Sequence, residues 1–198
     1  MQISASMVKE LREKTGVGMM TCKQALAEAG GSLDEAEKIL RKRGEATAAK
    51  KAGRAASEGL IHSYIHTGSK VGVLLEVNCE TDFTARNEDF QTMVRDIAMH
   101  IAAASPRFVS RDDVPEEVVA SEREIFADQA KKTGKPENVI AKIVDGKIDK
   151  FYSEICLLEQ PFVKDPDKSV HDLVTERIAR IGENMKVARF TRYALGDS

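Results

Sequence analysis

His62 and His66, with Cys79 in the next apolar run, come nearest to a metal-ligand pattern in this sequence. Both runs read as strands, however, and residues four apart on a strand lie roughly 13 Å from one another, too far to share one ion. No metal is expected. Catalytic signatures are equally lacking: the sequence has no GxSxG, no HExxH and no Gly-rich phosphate cradle. Its carboxylates read as solvated helix faces, so neither a cofactor nor covalent enzyme chemistry is expected. Met19 and Met20, in "TGVGMM", suit either core filling, the favoured reading for at least one of them taken alone, or an adaptable binding surface. The stretch Arg41–Arg54 holds six Lys or Arg against one Glu, but no interleaved aromatics. It reads as a solvated basic linker rather than a nucleic-acid site. In "EVNCETDFTARN", Phe83 follows Glu80 and Asp82 at a strand-to-helix junction that usually meets water. Capping statistics make Asp82 the N-cap and Phe83 a staple-like contact folded back on its helix. The alternative is a hydrophobic probe aimed at another protein.

The elements that must position these residues follow from periodicity. Ile3, Met7, Val8 and Leu11 recur at helical spacing, and a second helix, "TCKQALAEA", ends at Gly30-Gly31. A third opens with Ser32 and Glu35, the spacing of a capping box. These make a small three-helix bundle over residues 1–43, followed by a basic helical linker over 44–57. From Gly59 the period becomes two. "LIHSYIHT" and "KVGVLLEVNC" read as a hairpin turning at Gly68-Ser69. Leu60, His62, Tyr64 and His66 share one strand face, and Val71, Val73, Leu75 and Val77 share a face of the other. Phe90, Met93, Val94, Ile97 and Ile101 mark a helix able to cover the hairpin. Helices follow from about Pro115 to Lys132 and after Pro136, then a loop, "LLEQPFVKDPDKSV". A helix through Val170, Leu173, Val174, Ile178 and Ile181 and a strand, "KVARFTRYAL", complete the pattern. Without βαβ alternation, residues 58–198 read as an α+β core, an antiparallel sheet covered by helices.

Composition fits that picture. Hydrophobic residues are 42% and charged residues 31%, with a net charge of −2 that gives no global pull toward nucleic acid or membrane. Three cysteines without a CxxC pair argue against a disulfide framework and for a reducing compartment. No apolar run approaches the roughly 18 residues of a membrane span. A soluble cytoplasmic protein is expected.

Two segments, "LREKTGVGMMTCKQAL" and "EVNCETDFTARN", closely resemble the signatures of the elongation factor Ts family. "MHIAAASPRF", "TGKP", "QPFVKDP" and "IGENMKVARF" extend the resemblance over nearly the whole chain. It implies a guanine nucleotide exchange factor for elongation factor Tu, with a ubiquitin-associated-like N-terminal bundle. It also implies that Asp82 and Phe83, with Thr81, enter the partner's GTPase domain near its Mg²⁺ and phosphate site. Further implied contacts are Arg12, Met19, Met20 and Lys23 in the first signature, His66 in "SYIHTG", Ile181 in "IGEN" and Val163 in "QPFV". Many members are longer and carry two related core units. A single unit leaves the sheet face of Leu60, Tyr64 and Val73, or its opposite, partly uncovered, so a homodimer is expected. The rival reading is an adaptor whose ubiquitin-associated-like helical bundle tethers an unrelated α+β module to a protein or RNA, and it has no use for the "TDF" segment.

Overall fold

The computed structural model describes residues 3–197, which leaves Met1, Gln2 and Ser198 outside the account. Helix α1 (Ala5–Thr15) starts where the Ser4 hydroxyl accepts from the Met7 amide and stops at Gly16, whose left-handed φ of 67° suits a C-cap. Helix α2 (Met19–Glu28) follows without a side-chain cap. Helix α3 (Leu33–Lys51) is capped by Ser32, which accepts from the Glu35 amide. The expected capping box is half-formed, because the Glu35 carboxylate pairs with Lys38 at 2.7 Å. Val8, Leu11, Cys22, Ala25, Leu26, Ala36 and Leu40 form the core of this bundle.

Helix α3 does not end near residue 43 but runs unbroken to Lys51. Ala, Lys and Arg are strong helix formers. Gly44, the poorest former there, is buried, and an added Cβ would lie in ordinary contact, 3.6 Å from the Ala179 side chain. Residues 52–57 are therefore the only non-helical part of the expected linker.

Strands β1 (Glu58–Ile65), β2 (Val71–Cys79) and β5 (Met185–Ala194) form an antiparallel sheet in the order β1-β2-β5. Gly68 and Ser69, at φ 89° and 55°, carry the β1–β2 turn. Gly59 is required by close approach, since a Cβ there would fall 2.2 Å from the Val77 carbonyl oxygen. Alternation sets the faces. Val73, Leu75, Val77 and Cys79 are buried, whereas Ile61, Ile65 and Leu74 are exposed on the opposite face. It is thus the face opposite Leu60, Tyr64 and Val73 that is uncovered.

A short helix α4 (Asp82–Arg86) leads into α5 (Glu88–Ala104), whose Phe90, Met93, Val94, Ile97 and Ile101 are all buried. Burying each such side chain contributes roughly 1.5–3 kcal/mol. Helices α6 (Glu116–Lys131) and α7 (Glu137–Ile155) pack through Ala130, Val144 and Ile148. The segment expected as a loop instead holds an antiparallel ribbon, β3 (Pro161–Phe162) and β4 (Asp165–Ser169). Helix α8 (Val170–Ile181) precedes β5. The chain divides into two compact units: Met1–Leu60, Val77–Met93 and Asp172–Lys186 in one, and Ile61–Glu76, Val94–His171 and Val187–Ser198 in the other. Among the described residues no helix is long and apolar enough to cross a membrane.

Candidate functional site

In the first unit, the strand-to-helix junction carries the most exposed phenylalanine. Phe83 is 79% exposed. It is therefore not the staple-like contact that capping statistics favoured. The cap also lies one residue earlier than expected. Thr81 is the N-cap of α4, its hydroxyl accepting from the Thr84 amide at 3.3 Å. Asp82 begins the helix and spends its carboxylate on Arg86 one turn later, at 2.7 Å.

What holds Thr81 is a second loop, 102 residues away in sequence. Glu183 accepts from the Thr81 amide at 3.1 Å and from its hydroxyl at 2.7 Å. In return Glu80 accepts from the Asn184 amide at 2.6 Å. Asn184 is buried, and its side chain donates to the Arg54 carbonyl at 2.8 Å. Each loop's acid thus holds the neighbour of the other's. Burial would push the Glu183 carboxyl up, but donors from the Thr81 and Thr84 side chains and the Thr81 and Glu80 amides outweigh it and hold the group below its ordinary range. Cys79, fully buried beneath, donates to the Thr81 carbonyl at 3.2 Å. Burial, followed by the Glu183 charge, pushes its thiol up to about 11.

The other expected residues divide between the units. Arg12, Met19, Met20 and Lys23 are exposed on the bundle, both methionines included, and Ile181 is half-buried at the end of α8, two residues before Glu183. The basic charges near the bundle are largely paired: Arg43 with Glu28, Arg41 with Asp172, and Lys51 with the Gly182 carbonyl. In the second unit His66 is exposed, with its Nδ1 3.0 Å from the Tyr64 hydroxyl.

Val163, also in the second unit, is 45% exposed beside the ribbon. Its amide donates to Nδ1 of buried His100 at 3.2 Å. The Gln160 amide group donates to the Glu154 carbonyl, so its Oε1 accepts, at 2.9 Å, from His100 Nε2. The ring is thereby held as the neutral Nε2–H tautomer. Burial lowers its pKa from the ordinary 6.5, against a smaller upward pull from Gln160.

Sequence reasoning named Phe83 and Val163 but missed the groups that hold them: Glu80, Glu183, Asn184, His100 and Gln160. The available signal was polar residues set inside the apolar stretches "MHIAA" and "IGENM". Among the described residues no three His, Cys, Asp or Glu side chains gather as a metal-ligand set.

A family model described as elongation factor TS matches residues 2–197. The chain is 60% identical over 197 residues to elongation factor Ts of Geobacter sulfurreducens, covering 100% of this chain and 91% of that protein. It is 59% identical to the Alkaliphilus oremlandii protein of that name, with the same coverage, and 57% identical to that of Carboxydothermus hydrogenoformans, over 98% of this chain and 90% of that one.

The chain belongs to the elongation factor Ts family.

Elongation factor Ts proteins are guanine nucleotide exchange factors for elongation factor Tu in translation elongation, and that is the activity of this chain. It changes a partner's affinity for nucleotide and performs no covalent chemistry. The α+β architecture, three N-terminal helices followed by a helix-covered antiparallel sheet, is that of elongation factor Ts.

Proposed function

We propose that Phe83, presented by α4 with Thr81 and Asp82, enters the GTPase domain of elongation factor Tu beside its Mg²⁺ and nucleotide phosphates and loosens both. The observation that carries this is an aromatic ring 79% exposed on a backbone clamped by two carboxylates. Burying that ring in the partner would supply roughly 1.5–3 kcal/mol. The gain offsets the loosening of the metal site. Exchange then follows from linkage: factor and GDP weaken one another's binding by the same factor. Cellular concentrations, not the factor, select GTP for rebinding.

In this reading residues 1–43 are a docking bundle whose Arg12, Met19, Met20 and Lys23 meet the GTPase domain. Residues 44–57 connect it to a core, 58–198, where His66, Ile181 and Val163 make further contacts. The protein works in the cytoplasm. The test is release of fluorescent GDP from purified elongation factor Tu. Acceleration by the wild-type chain and its loss in Phe83→Ala are expected, and full acceleration by Phe83→Ala would remove Phe83 from the role.

The partner also includes a second copy of the chain. Ile65, Leu74, Tyr193 and Leu195 are exposed around a shallow groove of about 570 Å³ on the outer face of the sheet. Exposed large apolar side chains gathered around one groove favour burial against another molecule. Sedimentation at micromolar concentration should give a dimer, and Leu74→Asp a monomer. A wild-type chain that sediments only as monomer overturns the dimer.

A further inference from the structure

Phe83 carries the exchange reading, yet its own exposure leaves it little packing to fix its direction. The direction must come from the backbone of α4, a five-residue helix too short to hold itself. That helix is set by Thr81, and Thr81 by one carboxylate. Its hydroxyl gives its proton to Glu183 at 2.7 Å, which turns a lone pair toward the Thr84 amide at 3.3 Å. Its amide occupies the second oxygen of the same carboxylate, at 3.1 Å. Both donors of Thr81 are thereby committed, and the cap can form in one orientation only.

Glu183 is itself well placed to be rigid. It follows Gly182, whose φ of 89° ends α8, and precedes Asn184, pinned to the Arg54 carbonyl at 2.8 Å and to Glu80 at 2.6 Å. The path runs from the carbonyl of Arg54 through Asn184 and Glu183 to Thr81, and then through α4 to Phe83. We propose that Glu183 is the positioning residue of the exchange tip: its bidentate hold on Thr81 aims Phe83, and elongation factor Tu meets a ring whose direction is set in advance. This rests on the reading of Phe83 as the intruding side chain. Preorganisation of this kind avoids ordering the tip during the encounter, and a misplacement of about 1 Å in such a group costs on the order of a hundredfold in rate.

The experiment measures fluorescent GDP release from elongation factor Tu with four proteins: wild type, Phe83→Ala, Glu183→Ala and the double variant. Glu183→Ala should slow the stimulated release by about ten- to a hundredfold. The double variant should be no slower than Phe83→Ala, because the carboxylate acts through the ring. Glu183→Gln keeps one acceptor and should fall between wild type and Glu183→Ala. Wild-type exchange by Glu183→Ala, with Phe83→Ala impaired, overturns the positioning role alone. Full exchange by Phe83→Ala overturns the intruding-ring reading and this proposal with it. Independent losses that multiply in the double variant show a general structural effect and also overturn it.

The chain contains no tryptophan, so Phe83→Trp supplies a reporter confined to the tip. Adding Glu183→Gln should lower the indole's fluorescence anisotropy while the far-ultraviolet circular dichroism stays unchanged. An indole equally immobile with either residue at 183 overturns the proposal even if Glu183→Ala fails to fold.

Discussion

The Thr81–Arg86 tip and the ribbon beside Val163 each carry an exposed apolar side chain, but opposite kinds of group hold them. At the tip a carboxylate does the work, and it must be charged: Glu183 accepts from the amide and hydroxyl of Thr81. At the ribbon a buried imidazole does it, and it must be neutral, since His100 Nδ1 accepts from the Val163 amide while Nε2 donates to Gln160. The tip holds its backbone with polar contacts and leaves its ring in water. The ribbon is backed by an aromatic neighbour, with Phe162 6.0 Å from the His100 ring. An intruding group needs direction without burial, and a charged clamp supplies it. A contact that only lies against its partner can lean on the core.

That contrast can be broken at several points. The largest effect is expected from Phe83→Ala, which removes roughly 1.5–3 kcal/mol of burial in the partner, or about ten- to a hundredfold in stimulated GDP release. His100→Leu should come next. It strands the Gln160 oxygen and the Val163 amide, at a cost of about 1–3 kcal/mol in urea unfolding, while leaving the amide protection of Thr81 unchanged. Coordinated loss of protection at both amides would mean that the two anchors are not independent. Val163→Ala should weaken binding of elongation factor Tu by only a few-fold, because it removes two methylene equivalents worth about 0.8 kcal/mol each from a side chain that is 45% exposed and so has only about half of that burial left to gain in a partner, and should leave the nucleotide-release step alone. A Val163→Ala defect as large as that of Phe83→Ala would erase the distinction.

The mildest test is acid. His100 has a folded pKa lowered from 6.5, so the unfolded chain takes up its proton first as the pH falls. The stabilisation from its neutral ring is complete above 6.5 and is lost between that pH and the lower folded value. Glu183 is lowered from 4.5, so its contribution is complete above 4.5 and is lost only as the pH falls through its folded value. Hydrogen exchange, corrected for intrinsic rates, should show the Val163 amide opening first and the Thr81 amide still protected at about pH 5. The reverse order would refute the assignment of anchors.

Much of this arrangement is legible in the sequence where one element's own period decides it. The helical spacing of Phe90, Met93, Val94, Ile97 and Ile101 identifies the buried face of α5, and alternation in "KVGVLLEVNC" identifies that of β2. Legibility ends where a distant group decides. Asp and Thr both cap helices, and it is Glu183, 102 residues away, that turns the Thr81 hydroxyl into the cap. The charge run after residue 43 reads as a linker separate from the bundle, but its Ala, Lys and Arg are strong helix formers and α3 continues unbroken to Lys51. Pro161 and Pro166 read as a loop, yet a two-stranded ribbon accommodates proline at its edges. The site residues named from family resemblance are exposed or at element ends, whereas their anchors are interior polar groups whose partners no local pattern announces.

The three cysteines are sealed within their units, and burial pushes the thiols of Cys79 and Cys156 up to about 11. At neutral pH such a thiol is ionised in roughly one molecule in ten thousand, and the thiolate is the form that maleimides and peroxides attack. The folded protein should therefore ignore alkylating reagents and mild oxidants without any cysteine being removed. A cysteine substituted at an exposed position becomes the one reactive handle for a spin label or a dye, and distances between tip and ribbon can be measured in the otherwise natural chain.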